Sequence, residues 1–288
     1  MTNDSKQSTS ELTENQKRSQ KYFLRSKGIN PDQPIQLSLL IPIVYGSQRM
    51  QPNDTVRSAL FTARNDKVKR ENLKKYEIFT PDPTVKILYS GEELRSSSDE
   101  LIWMQLIEYA KHANIGEKIT INIHKICLDL KWSPNPKYYS IVRNSLERLD
   151  QGKLKVISEK HGKAVYMPMI ILHCSDERIT KEATQFTFSI HSDLTLLVAG
   201  QTVTHLEWNK LKKLSPLQQR LYGYVASHKH PEPLNILAFH KMCSSLNKNL
   251  PSFKQEIKKA IKKLIELELL VDGWIELNLI HLKKSKQA

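Results

Sequence analysis

The sequence predicts an α+β fold in which one arrangement of helices and strands is used twice, behind a disordered N-terminal tail. Three observations predict it. The order helix, short strand, short helix, turn, long helix and hairpin runs from residue 98 to 174 and again from 214 to 282. The two long helices, at 137–151 and 253–270, are amphipathic, each with an apolar stripe opposite a polar, cationic one. The chain has 288 residues and carries 44 Lys+Arg against 30 Asp+Glu, a formal charge of +14. Such an excess favours a polyanionic partner, nucleic acid before an anionic membrane surface. The repeated order is that of the winged helix, a helix-turn-helix variant whose second helix enters the major groove of DNA.

Residues 1–51 are rich in Ser, Thr, Asn, Gln and Lys at first, then alternate Pro and Gln with small apolar clusters, and are expected to form a disordered N-terminus. The first winged-helix domain is placed at 52–195, with a basic N-terminal extension at 57–75 that contains RNDKVKRENLKK. KYEIF (75–79) and VKILYS (85–90) have the β-branched and aromatic make-up of strands, punctuated by Pro81 and Pro83. A helix over 98–112 takes Ser98 or Asp99 as its N-cap and repeats apolar residues at Leu101, Ile102, Leu106, Ile107 and Ala110. EKITINI (117–123) alternates as a strand, HKICLDL (124–130) is a short helix, WSPNP (132–136) a turn and KYYSIVRNSLERLDQ (137–151) a long helix. Two strands over 154–174, turning at His161-Gly162, form the wing, and TQFTFSIH (184–191) is a third strand.

The second domain is placed at 196–288. Its helix at 214–228 opens with Ser215 as cap and Pro216 at the first helical position. PLNI (233–236) is strand-like, LAFHKMCSSL (237–246) a short helix, NKNLPS (247–252) a turn and 253–270 the long helix. DGW (272–274) opens a hairpin whose second strand is IELNLIHL. The two copies share no noticeable sequence identity, so the repeat is one of architecture.

Composition excludes several classes. The cysteines, Cys127, Cys174 and Cys243, are odd in number and far apart, which supports neither a disulfide framework nor a cysteine zinc site and points to a reducing cytoplasm. The N-terminus has no apolar core of a signal peptide, and no apolar run approaches the ~18 residues of a membrane span. There is no GxxxxGK(S/T), no HExxH and no Cys/His metal spacing, so no cofactor or metal is expected and no catalytic site is assigned. One constellation keeps a nuclease reading open. His228 and His230, with Tyr222 and Tyr224 nearby, could serve a metal-dependent enzyme that nicks DNA through tyrosine, although Lys229 lies between the imidazoles and the pair sits at a helix end.

At 100° per residue, Tyr138, Val142, Ser145, Leu146 and Leu149 share the core face of the first long helix, leaving Lys137, Ser140, Arg143, Asn144 and Arg148 for DNA. In the second, Phe253, Ile257, Ala260, Ile261 and Leu264 form the stripe, and Ser252, Lys254, Gln255, Lys258, Lys259 and Lys262 the outward set. Arg143 suits guanine, Asn144 or Gln255 suits adenine, and lysines neutralise phosphates. Lys160 and Lys163 at the expected wing tip, and Arg57, Lys67, Lys69 and Arg70 upstream, are lesser candidates for contacts to the DNA backbone. A winged-helix transcription regulator shares all of these features and remains an alternative.

PNDTVRSALFTARN (52–65), SGEELRSSSDELIWMQLIEYAKHANIGEKITI (90–121), KICLDLKW (125–132) with Tyr138-Tyr139, and LSPLQQRLYGYVASHKHPEPL (214–234) resemble the conserved segments of TrfA-type plasmid replication initiators. The resemblance implies two winged-helix domains that bind direct repeats (iterons) of double-stranded origin DNA. It implies opening of an adjacent AT-rich element with possible contact to the melted single strand, recruitment of the host replicative helicase, a monomer–dimer equilibrium, and no catalytic site. It also gives meaning to Gln36, Leu37, Ser38, Leu39 and Leu40. QLSLL resembles the pentapeptide by which polymerases and their partners bind the β sliding clamp. Three leucines buried at roughly 1.5–3 kcal/mol each give about 5–9 kcal/mol gross, and micromolar binding after the cost of ordering the segment.

Overall fold

The computed structural model describes residues 47–114, 116–158, 164–173, 184–198 and 203–285. Strand β1 (Gln48–Pro52) lies in the segment expected to be disordered. It is ordered because Met50, Gln51 and Pro52 are buried and because it pairs antiparallel with residues 203–207. The short helix α1 (Asn53–Val56) and strand β2 (Phe61–Thr62) follow. Strands β3 (Asn72–Ile78) and β4 (Val85–Glu92) pair antiparallel, and β5 (Leu94–Arg95) lies parallel to β2.

A π-helical turn at Ser96–Glu100 runs into α2 (Leu101–Ala110). The helix therefore starts ahead of the expected Ser98 or Asp99 cap. Asp99 is inside the turn and wholly buried, and it accepts from the Arg95 backbone N–H at 2.8 Å. α2 is apolar on nearly every side, as a helix surrounded by structure must be, and Trp103 donates its ring N–H to the Met169 carbonyl at 3.0 Å.

Strand β6 (Ile119–Asn122), α3 (Ile123–Asp129) and α4 (Pro136–Gln151) come next, then β7 (Lys153–Ser158), β8 (Val165–Pro168), β9 (Ile171–His173) and β10 (Gln185–Ser189). The β7–β8 hairpin is not the expected wing. It joins β3 and β4 in a four-stranded sheet of order β3-β4-β7-β8. Leu154 and Val156 lie opposite Tyr89 and Ile87 of β4 and are buried with them, so the inner face of the hairpin is covered as part of that sheet. Strands β9 and β10 pair with each other in a separate sheet of order β6-β10-β9.

After α5 (Leu194–Val198) come β11 (Val203–Glu207), which is the partner of β1, α6 (Trp208–Leu211) and α7 (Pro216–Ala226). The expected boundary at 195/196 falls inside α5, whose Leu194, Leu197 and Val198 are buried. At the start of α7, the Ser215 backbone N–H donates to Gln218 Oε1 at 2.9 Å. Strand β12 (Leu234–Asn235), α8 (Ile236–Met242), α9 (Leu250–Glu266), β13 (Leu270–Glu276) and β14 (Leu279–Lys284) complete the chain, with sheet order β12-β14-β13. Asp272-Gly273-Trp274 is not a turn but mid-strand in β13; the reversal is at Leu277-Asn278, with Leu277 at φ 53. Gly273 serves close packing instead. A Cβ there would sit 2.9 Å from Ile261 Cγ2 of α9.

The two halves repeat one construction down to its caps. Asn122 and Asn235 cap α3 and α8, accepting from the His124 and Leu237 backbone N–H at 2.7 and 2.8 Å. Both short helices end in the same left-handed reversal, at Lys131 (φ 58) and Ser244 (φ 48). Trp132 then donates back to the Cys127 carbonyl at 2.8 Å and Ser245 to the His240 carbonyl at 3.1 Å, which closes a Schellman motif in each half without glycine. Asn135 and Asn249 cap the long helices, accepting from the Tyr138 and Ser252 N–H, with proline in each first turn.

The halves share one apolar core. At their seam Arg220, 1% exposed, donates to Glu100 Oε1 at 3.0 Å and to the Val56 carbonyl at 2.7 Å, while Gln51 also donates to Glu100 at 2.8 Å. Burial pushes the Glu100 carboxyl up despite the facing guanidinium. Nearby, Trp208 is flanked by the Arg49 guanidinium at 5.0 Å and the Lys212 ammonium at 5.1 Å.

Candidate nucleic-acid interface

The core stripe of α4 is Val142, Ser145, Leu146 and Leu149, all buried; Tyr138 is only partly buried and packs on Trp132 at 5.4 Å. Lys137, Ser140 and Asn144 are exposed, and Arg143 is partly buried. Arg148 departs from its expected role. Its guanidinium donates to Asp99 Oδ1 at 2.9 and 3.1 Å, and its side chain is 11% exposed. Asp99 also accepts from Arg70 at 2.7 Å and from the Ser145 hydroxyl. Buried carboxylates hold their charge only when saturated with donors, so Arg148 serves the seat of α4 and not the outer face. The upstream arginines are engaged in the same way. Arg57 donates to the Ser227 carbonyl, Arg64 pairs with Glu71 and Glu93, and Arg70 is held on Asp99. Lys67 and Lys69 remain exposed.

Helix α9 divides along the expected line. Phe253, Ile257, Ala260, Ile261 and Leu264 are buried. Ser252, Gln255, Lys258, Lys259 and Lys262 are exposed. Lys254 is drawn aside, its ammonium donating to the Leu277 carbonyl at 3.1 Å, which ties the helix to the tip of the hairpin. No ion pair engages Lys258, Lys259 or Lys262 among the described residues, and Lys262 follows the adjacent pair Lys258-Lys259 by about one turn on the exposed side. The β13–β14 hairpin adds a surface that the sequence did not mark. Trp274 stacks flat on His281, ring centres 4.9 Å apart and 3° from parallel, with the Lys283 ammonium 5.2 Å from the indole. Period-two alternation over 272–283 is the signal that would have found this face.

Lys160, Lys163 and the peptide Gln36–Leu40 lie outside the described residues. The nicking constellation is not assembled. Tyr222 is buried and its hydroxyl accepts from the Glu207 N–H at 2.9 Å, while burial pushes its pKa up to about 12. Tyr224 donates to the Glu232 carbonyl at 2.9 Å and packs at a tilt against His228, ring centres 4.4 Å apart. Burial pushes the His228 imidazole down. No group of three metal-ligating side chains comes together among the described residues, and no helix among them is long and apolar enough to cross a membrane.

Among solved structures, the fold is similar to that of domain 2 and domain 3 of RctB, with a TM-score of 0.54 over 81% of this chain and 98% of that one at 12% identity. In sequence, the chain is 36% identical over 238 residues to the plasmid replication initiator protein TrfA of Escherichia coli. The match takes in 83% of this chain and 62% of that protein, so the chain spans under two thirds of its relative's length. The family model described as TrfA protein matches residues 5–284. The chain belongs to the TrfA family.

Proposed function

We propose that the chain is a plasmid replication initiator built on two winged-helix units. It binds iterons at an origin, promotes opening of the adjacent AT-rich DNA, and passes the opened strand to a recruited host helicase. It acts by binding alone and catalyses no step itself. The observation that carries the reading is α9, where Lys258, Lys259 and Lys262 share one exposed face with Gln255 while the opposite stripe is buried. Those ammonium groups suit phosphates, and a glutamine amide beside them suits the N6/N7 edge of adenine. α4 offers Lys137, Ser140, Arg143 and Asn144 as the second reading helix. The name of the 36% identical relative supports the origin as the target.

Selection of bound duplexes from a random pool tests this. The expected product is an asymmetric site that the intact chain binds in direct repeat. A palindrome with half-sites one helical turn apart would instead favour a dimeric regulator. On the selected duplex, Lys258→Ala with Lys262→Ala lowers the salt slope by about two, one per phosphate contact. An unchanged slope removes α9 from the interface. The peptide at 36–40 is assigned to the sliding clamp, with Leu37, Leu39 and Leu40 in apolar pockets. Capture of purified β clamp by the wild type, lost in Leu37→Ala/Leu39→Ala, is the expected result. Equal capture by both would end that assignment.

A further inference from the structure

A cleft of about 670 Å³ opens beside the first half of α4, between the loop at 65–70, the π-helical turn and the start of the helix. Its two walls differ in chemistry. Lys67 and Arg70 stand on the loop side, with the hydroxyls of Ser97 and Ser98 behind them. Trp132, Tyr138 and Ile141 form the other side, where the two rings pack at 5.4 Å. Lys137, whose ammonium lies 5.8 Å from the Tyr138 ring centre, and Asn144 line the cleft and also belong to the outer face of α4.

The loop wall is fixed before any ligand arrives. Arg95, 1% exposed, donates to the Asn65 carbonyl at 2.6 Å and to the Val68 carbonyl. Arg70 is held by Asp99 at 2.7 Å and by the Glu93 carbonyl. A loop ordered in advance loses little entropy on binding. The charge of the lining is one-sided. Arg70 and Arg148 are paired with Asp99, and Arg95 lies beside Asp66 and Glu93, so the lining cations left to face a ligand are Lys67 and Lys137. Arg95 also keeps a buried Nε with no hydrogen-bond partner, its nearest carboxylate oxygen, on Glu93, being 3.7 Å away.

A cationic wall facing an aromatic wall across a cleft of this size fits a ligand that is anionic at one end and a flat ring at the other. We propose that the cleft takes one unstacked nucleotide, its phosphate on Lys67 and Lys137 and its base against Trp132. A base held in a duplex is stacked on both faces and cannot reach such a wall, so the source is either an unpaired DNA strand or a free nucleotide. The strand source rests on the DNA-binding reading above and gives the opened strand a place beside α4.

The test uses the intact chain and three probes: fluorescently labelled decathymidylate, the selected duplex, and ATP as competitor. Trp132→Leu and Lys67→Glu are each expected to weaken decathymidylate binding about tenfold, and Trp132→Leu to leave duplex binding within about twofold. Lys258→Ala/Lys262→Ala is expected to do the reverse. Displacement of decathymidylate by millimolar ATP assigns the cleft to free nucleotides, and resistance to it assigns the cleft to the strand. Lys67 is on an exposed loop, so Lys67→Glu keeps the test open if Trp132→Leu fails to fold. Unchanged decathymidylate affinity in a folded Lys67→Glu protein overturns the proposal, as does a wild type that binds neither decathymidylate nor ATP. Loss of duplex recognition with the nucleotide site intact would overturn the initiator reading alone.

Discussion

Helices α4 and α9 occupy the same place in the two halves, open with the same asparagine cap and follow the same reversal, yet they are seated by opposite means. α4 rests on a buried charge. Asp99, with no exposed surface, gathers Arg70, Arg148, Ser145 and the Arg95 backbone N–H. α9 rests on close contact. Its stripe is wholly apolar, and Gly273 lets the hairpin approach Ile261 to a distance no side chain would allow. The cationic groups are spent accordingly. Around α4, Arg70 and Arg148 serve the fold, whereas on α9 Lys258, Lys259 and Lys262 face outward. An acidic seat fixes orientation through many directional bonds but consumes cations, and an apolar seat leaves them available for a polyanion.

The difference can be attacked from either side. Asp99→Ala leaves two nearly buried guanidinium groups without their acceptor and is expected to cost about 3–5 kcal/mol in urea denaturation. A loss below about 1 kcal/mol would mean that α4 is held by its apolar stripe like α9. Gly273→Ala is expected to cost about 1–3 kcal/mol, because the added methyl meets Ile261 on one side and, at 3.1 Å, the His281 carbonyl on the other. Combining it with Ile261→Val should recover part of that loss. If the double variant shows no coupling, the glycine is there for some other reason than the seat of α9.

The order of elements from 98 to 282 was legible because each long element carries its own periodicity and its own stop signals. The core stripe of α9 was read without error, since apolar contacts obey helical spacing. Other features were not legible because their causes are remote in sequence. Nothing local to Arg148 tells that it turns inward; its partner Asp99 is 49 residues away. Gly273 between Asp272 and Trp274 carries the composition of a turn, and only the approach of α9 makes it a strand glycine. The β7–β8 hairpin took the name of wing because β9 and β10 are short and separated by residues 174–183. The paired asparagine caps at 122 and 135, and at 235 and 249, were in plain view. They escaped notice because low overall identity hid a repeat carried by a few capping side chains.

The pairing of β1 with β11 places the first described strand against one made much later, with Gln48 and Glu207 separated by 159 positions. At ribosomal speeds of 5–20 residues per second, β1 waits roughly 10–30 s for its partner to be synthesised. Through that interval the nascent N-terminal half carries an open strand edge with Met50 and Gln51 uncovered, which is the kind of surface that chaperones hold and that neighbouring chains on a polysome can mispair with. The seam can therefore close only after residue 207 clears the exit tunnel.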